Sequence, residues 1–150
     1  MKYIIIALIL ITGIGTPFYA SSQSSELGKI LTQTFSYEPL KSFLASGEND
    51  EVYVTGILTN NLIPIGTTVF VFGEEVRTTS GSKPQPYTVL LTKIRMKPER
   101  AKVKFIYHSN VKARMSLKFE EGRWKVHHSY IRMKARDAEG KKTKKMHWDF

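Results

Sequence analysis

Lysine and arginine side chains recur at alternate positions along two segments in the C-terminal half of the chain. In residues 102–108 and 112–119 the basic positions alternate with mostly apolar ones. A two-residue period places alternate side chains on one face of a β-strand, so the pattern predicts a positively charged sheet face. Such a face binds anions through charge, and added salt weakens the binding. The predicted anion-binding residues are Lys102, Lys104, His108, Lys112, Arg114, Lys118, Lys125 and His127, with an extension through Lys93 and Arg95.

The distribution of charge along the chain supports the same expectation. Residues 21–92 carry four basic and seven acidic side chains, a net charge of −3, whereas residues 93–150 carry eighteen basic and six acidic ones, a net charge of +12. This asymmetry predicts an anionic partner for the C-terminal half. The alternative is a solvated face that keeps the protein soluble, or lysines that discourage association between sheets.

The expected partners are an anionic envelope polymer, a membrane surface or an acidic protein. Nucleic acid is not expected, because the chain has the features of an exported protein and no aromatic residue interleaves with the lysines to stack on bases. The sequence leaves the oligomeric state open.

The other residue types that could do chemistry form no recognisable site. The chain has no cysteine, which removes disulfides and thiol chemistry. His127 and His128 are neighbours in a predicted strand, so we expect their side chains on opposite faces and not on one metal ion. No nucleophile elbow or glycine-rich phosphate loop occurs. We therefore predict no metal site, no cofactor and no catalytic residue.

A second hypothesis stays open beside the binding face. A small-molecule-binding or hydrolytic pocket could lie between a helix and the apolar side of the sheet. The ionisable side chains nearest to such a pocket would be His128 and Tyr130.

Four consecutive strands between Tyr87 and Lys134 must position the basic side chains. Turn residues separate them at 97–100, 108–111 and 120–123, and Pro98 at the second position of the first turn and Gly122 in the third favour tight turns. The opposite, apolar face is predicted to consist of Phe105, Tyr107, Met115, Leu117, Phe119, Trp124 and Val126.

Helical periodicity precedes these strands. Leu27, Ile30, Leu31 and Phe35 lie on one helical face, and Ser36 with Pro39 predicts a second helix start. Residues 52–58 and 67–72 are predicted strands, Gly73–Pro86 a long loop, and 135–150 a basic flexible tail.

These elements predict an α+β fold, with an N-terminal bent helix or helix pair packed on a curved antiparallel sheet of about six strands. Residues 23–134 would form the single domain.

The segment E-E-G-R-W-K-V at Glu120–Val126 places an acidic-glycine turn before a tryptophan strand. This arrangement resembles the final hairpin of small exported α+β domains of the cystatin-like and nuclear-transport-factor-like group. The resemblance covers about the last third of the chain. It implies a cone-like α+β fold with a ligand pocket or a protein-binding surface, and it assigns no catalytic residue.

The N-terminus has the pattern of a secretory signal peptide. Lys2 precedes an apolar run from Tyr3 to Ile14, which Gly15 and Pro17 interrupt. The run is shorter than the roughly 20 apolar residues of a membrane-spanning helix. We therefore predict that residues 1–22 are a signal peptide cleaved near residues 20–22, and that the protein is periplasmic or secreted. The alternative is an uncleaved membrane anchor.

Overall fold

The computed structural model describes residues 25–44, 51–136 and 142–149, with side chains at all of these except 135, 136 and 142–145. Residues 25–35 form helix α1, and a short 3-10 helix at Glu38–Leu40 leads into helix α2 at Lys41–Leu44. The expected signal peptide lies outside the described residues. Eight strands follow: β1 Gly56–Leu58, β2 Thr68–Val71, β3 Glu74–Thr79, β4 Thr88–Lys97, β5 Arg100–Tyr107, β6 Val111–Glu120, β7 Arg123–Arg136 and β8 Lys142–Asp149.

The strands form one curved sheet in the order β2-β3-β1-β4-β5-β6-β7-β8. Strand β1 runs parallel to both of its neighbours, β3 and β4, whereas every other pair is antiparallel. The α+β class with a curved sheet is therefore confirmed, with eight strands instead of about six. Within the described ranges, no helix has the length and apolar character needed to cross a bilayer.

The predicted four-strand meander corresponds to β4–β7, and its turns fall at the predicted residues. Alternate residues of β5 and β6 are buried against the helices, from Ala101 to Tyr107 and from Val111 to Leu117. This alternation gives the sheet an inner face, which packs on α1, and an outer face. Phe119 departs from the expected apolar face, since 39% of its surface is exposed at the end of β6.

Strand β3 lies where a long loop was expected. Phe72 and Gly73 adopt positive φ angles in the tight turn from β2 to β3, and Val76 and Thr78 are buried while their neighbours are exposed. The loop prediction was wrong because the strand contains only one buried apolar residue. The other buried position of its two-residue alternation is a threonine, so no apolar alternation marks the strand. The strand predicted from residue 52 is correspondingly shorter, since the ladder of β1 begins at Gly56.

Strand β8 lies where a flexible tail was expected. It pairs with β7 from Ser129↔Asp149 to Arg136↔Lys142. Its lysine-rich composition is typical of solvated segments, and the stabilising partner is the unusually long β7. The carboxylate of Asp149 also accepts a hydrogen bond of 2.7 Å from the Tyr37 hydroxyl.

Helix α1 covers the free edge of β2. The Thr32 hydroxyl accepts a hydrogen bond from the Phe70 amide at 3.0 Å. The Ser36 hydroxyl accepts one from the Phe72 amide at 3.2 Å and donates one to the Phe70 carbonyl at 3.1 Å. Ser36 therefore does not cap the second helix as predicted: Tyr37 is the N-cap residue, without a side-chain hydrogen bond. These contacts satisfy edge groups that would otherwise be open to another strand.

The buried end of the meander is fixed by the Tyr107 hydroxyl. It donates to the Tyr53 carbonyl at 2.6 Å and lies 3.4 Å from the Leu44 carbonyl. Burial raises the pKa of Tyr107 from 10.0 to about 12. The hydroxyl thus ties the end of α2 and the segment before β1 to β5.

We expect Tyr107→Phe to lower the free energy of unfolding by about 1 kcal/mol, because a buried hydrogen bond is lost. The wild-type contribution is present below the unfolded pKa of about 10 and disappears as pH rises towards the folded pKa, since the unfolded tyrosine ionises first. Urea unfolding from neutral to alkaline pH should therefore show a shallower alkaline decline in the variant. Parallel declines would contradict this, and Tyr53→Phe, at an exposed ring, is the control.

Candidate functional site

Directly paired positions on the outer face form a row across five strands. The row runs from Lys93 in β4 through Lys104 and Arg114 to Tyr130 in β7 and Trp148 in β8. Paired residues of neighbouring strands are close enough for their side chains to interact. We call this the central row; it spans about 19 Å at the usual strand spacing.

Three neighbouring rows on the same face add further cations. Arg95 and Lys102 pair in one row, Lys97 pairs with Arg100 in the next, and Lys112 pairs with Arg132 on the other side of the central row. Together the outer-face cations of β4–β7 form what we call the basic face: Lys93, Arg95, Lys97, Arg100, Lys102, Lys104, Lys112, Arg114, Lys118, Lys125 and Arg132.

A shallow depression of about 460 Å³ lies in this face, beside a break in the strand register. Thr92 has no pairing partner opposite it, because the register shifts between Leu91 and Lys93. Bulges of this kind bend a strand and increase its twist. The side chains that line the depression on the outer face are Thr92, Lys104, Ile106, Lys112, Arg114, Tyr130 and Arg132.

The cations of the basic face are crowded and mostly unneutralised. Arg114 first, then partial burial and the charges of Lys93, Arg95 and Lys102 lower the pKa of Lys104. Of the basic-face cations, Lys125 makes an ion pair, with Glu121, and none of the others pairs with a carboxylate in the described part of the chain. The face therefore concentrates positive potential.

Arg132 adds an unsatisfied donor to the depression. Its Nε is buried and has no hydrogen-bond partner among the described residues. A buried donor without an acceptor costs free energy, so the Nε of Arg132 is held at a cost in a side chain that lines the depression.

The structure places six of the eight predicted binding residues on the basic face, namely Lys102, Lys104, Lys112, Arg114, Lys118 and Lys125. Lys93 and Arg95 lie there as well. His108 does not, because it lies in the turn after β5, where its Nδ1 accepts a hydrogen bond of 3.0 Å from the Tyr87 amide. It contacts the Tyr87 ring instead of the lysines.

His127 and His128 are side by side and not on opposite faces. The register of β6 and β7 shifts so that Ser116 pairs with His128 and Leu117 with Val126, which leaves His127 as an extra residue. Such a bulge breaks the strict alternation of side chains. Consequently His127 Nδ1 lies 3.2 Å from His128 Nε2, and its Nε2 lies 3.3 Å from the Lys118 amine.

An aromatic pair lies next to the cations and was not predicted from the sequence. The Tyr130 and Trp148 rings are 4.3 Å apart with a 58° tilt, and 52% of the Trp148 surface is exposed. Tyr130 and Arg132 are two residues apart in one strand and therefore lie on the same face. This spacing could have predicted the position of Tyr130. Trp148 could not be placed, because its segment was predicted to be a tail.

A second concave region lies on the other side of the molecule, between α1, β2 and the β6–β7 turn. This cleft has a volume of about 690 Å³ and is lined by residues that include Lys29, Thr32, Phe70, Phe119, Arg123 and Trp124. The Trp124 Nε1 donates to the Glu26 carboxylate at 2.9 Å. Hydrogen bonds from Lys29 and then Trp124 lower the pKa of Glu26. His128 and Tyr130, predicted as pocket residues, are on the outer face instead, paired with Ser116 and Arg114.

Among the described residues, no three histidine or carboxylate side chains come together in a group that could hold a metal ion. Comparisons with protein-family models, curated proteins and solved structures found no match to the chain.

Proposed function

We propose that this protein is an exported, non-enzymatic binding module whose basic face captures an anionic partner. The observation that carries the proposal is the central row: three cations at paired positions, flanked by further cations and without a carboxylate in these rows. Like charges directly opposite each other destabilise a sheet. A surface that serves only for solubility would be more stable with positive and negative side chains interspersed.

The depression supports the proposal in a second way. It brings Lys104, Lys112, Arg114 and Arg132 around one concave area, and lysine and arginine offer donors without acceptors. A phosphate, sulfate or carboxylate group supplies acceptors for these donors. The partner class that fits is therefore a polyanion.

A salt series tests the proposal directly. The probe is inorganic polyphosphate, and binding is measured by titration calorimetry with the purified full chain. If about four cations release counterions from the polymer, affinity should fall by about 50- to 100-fold between roughly 50 and 200 mM salt. Weak binding that does not change with salt would overturn the proposal and favour the solvated face.

A small-molecule-binding pocket is the second candidate, and the cleft beside α1 is the observation that favours it. Its volume is within the usual range for ligand sites, and the exposed rings of Phe70 and Phe119 could contact an apolar ligand. Such binding would depend little on salt, which separates it from capture by the basic face.

A further inference from the structure

We infer that the anionic partner of the basic face is a single-stranded nucleic acid, with its phosphates on the cations of the central row and a base stacked on Trp148. This inference rests on the proposed function and names its partner. It reverses the expectation from the sequence, which excluded nucleic acid because the chain has the features of an exported protein and because no aromatic residue interleaves with the lysines. For an exported protein, the partner is nucleic acid outside the cytoplasm.

The order of side chains along the central row matches the phosphate backbone and the bases of a nucleic-acid strand. Lys93, Lys104 and Arg114 supply cations at successive strands, and Tyr130 and Trp148 supply aromatic rings at the next two. Proteins that bind single strands combine a basic track for the backbone with aromatic side chains on which bases stack. A four-stranded sheet face that carries aromatic residues uses the same physics on RNA.

The exposed surface of Trp148 lies beside Tyr130, on the same face as the cations of the central row. Tyr130 and Trp148 pack at 4.3 Å and support each other, while half of the Trp148 surface remains exposed. Arg114 pairs with Tyr130 on the neighbouring strand, and a guanidinium plane can also stack on a base. The stacking position and the phosphate positions are therefore adjacent.

The hydrogen-bonding character of the face separates a nucleic acid from a glycan. The four outer-face rows, as far as their side chains are described, contain no carboxylate and no amide side chain. Lysine and arginine only donate hydrogen bonds, whereas sugar hydroxyls also need acceptors. Ser116, His128 and Tyr130 are described side chains of these rows that can also accept, but donors predominate, so a phosphodiester backbone, which presents acceptors, is the better match.

The test compares two probes that carry the same backbone charge. One is a single-stranded oligothymidylate of about 12 nucleotides, within the usual site size of roughly 4–16 nucleotides; the other is an abasic oligonucleotide of equal length. We expect the full chain to bind the first about 5- to 100-fold more tightly, the range that stacking of one base corresponds to. Quenching of tryptophan fluorescence should accompany this binding, since Trp148 is exposed and Trp124 is buried.

Variants of the aromatic pair make the test specific. Trp148→Ala should lose the preference for the base-containing probe while it keeps its affinity for the abasic one. Trp148→Phe should retain most of the preference, because a phenylalanine ring can also stack on a base, so the need for an aromatic ring is tested in a variant that keeps one in β8. Met146→Ala is the matched control, because Met146 is an exposed residue of the same strand in the neighbouring row.

The outcomes distinguish the inference from the function on which it rests. Equal binding of both probes, unaffected by Trp148→Ala but weakened by salt, would overturn the inference and leave the polyanion proposal intact. No salt-sensitive binding of either probe or of polyphosphate would overturn both. Tighter binding to vesicles that contain phosphatidylglycerol than to the oligonucleotide would replace nucleic acid with a membrane surface.

Discussion

Combined substitution of Lys104→Glu, Lys112→Glu and Arg114→Glu is expected to weaken polyanion binding by about 1000-fold or more. These three side chains line the depression, and two of them belong to the central row. Each substitution removes a cation that would release counterions from the polymer and adds an anion that repels it. The measurement is titration of the variant with polyphosphate at low salt, where the wild-type affinity is highest.

A matched triple variant separates the effect of position from that of net charge. Lys41→Glu, Arg77→Glu and Lys83→Glu change the net charge by the same amount, and all three side chains are exposed and lie within residues 21–92, outside the basic face. We expect this control to bind polyphosphate several-fold less tightly than wild type at most, through its long-range field. Equal losses in both triple variants would show that binding follows overall charge and would contradict a defined site.

The stability of the basic-face variant provides the second control. The substituted positions are on the solvent side of the sheet, and the wild-type cations already repel each other, as the lowered pKa of Lys104 indicates. Reversing their sign keeps a like-charged pair at positions 104 and 114, but it places carboxylates opposite the unchanged Lys93 and Arg132, and opposite charges at paired positions do not destabilise a sheet. We expect an unchanged urea midpoint, so that a loss of binding cannot be attributed to unfolding.

The strands of the meander could be predicted because each combines two independent local signals. Ala101–Tyr107 and Val111–Leu117 alternate apolar and mostly basic residues, and proline or glycine occurs in two of the turns that bound them. With period and turns both defined, the register of β5 on β6 and the basic face follow directly. In α1, helical periodicity predicted the apolar face that contains Ile30, Leu31 and Phe35, and all three are buried.

The parts that could not be predicted depend on contacts distant in sequence or on breaks in the period. The side-by-side arrangement of His127 and His128 results from one extra residue in β7, which no local pattern marks. Strand β8 exists because β7 extends far enough to pair with it. Trp148, which carries the aromatic half of the site, could therefore be placed only once that pairing was known.

Gly28 in α1 lowers the stability of the helix, and the reason for a glycine there is a contact with strand β2. Gly28 weakens a helix by about 1 kcal/mol relative to alanine. A Cβ atom at this position would lie 2.9 Å from the Thr68 carbonyl oxygen of β2, closer than side-chain carbons approach. A residue of low helix propensity at position 28 thus allows α1 to lie close to β2, where Thr32 and Ser36 form hydrogen bonds with its edge.

The packing of α1 on the sheet leads to the second large expected effect, on stability. We expect Phe35→Ala to lower the free energy of unfolding by about 3–5 kcal/mol, the usual cost of truncating a buried phenylalanine. Phe35 is fully buried, and its ring meets the Phe105 ring edge-on at 4.9 Å between centroids. Urea unfolding measures the change, with Phe70→Ala, at a ring that is 43% exposed, as the control of small effect.

A double variant tests whether the two rings act as one unit. The combined cost of Phe35→Ala and Phe105→Ala should be smaller than the sum of the single costs, because contacting residues share the lost interaction. A cost below about 1 kcal/mol for Phe35→Ala would contradict the packing of α1 on β5.

Phe105 and Lys104 are neighbours in the same strand but face opposite sides. Phe35→Ala should therefore leave polyanion affinity unchanged wherever the variant is still folded, since the inner face sets stability and the outer face sets binding.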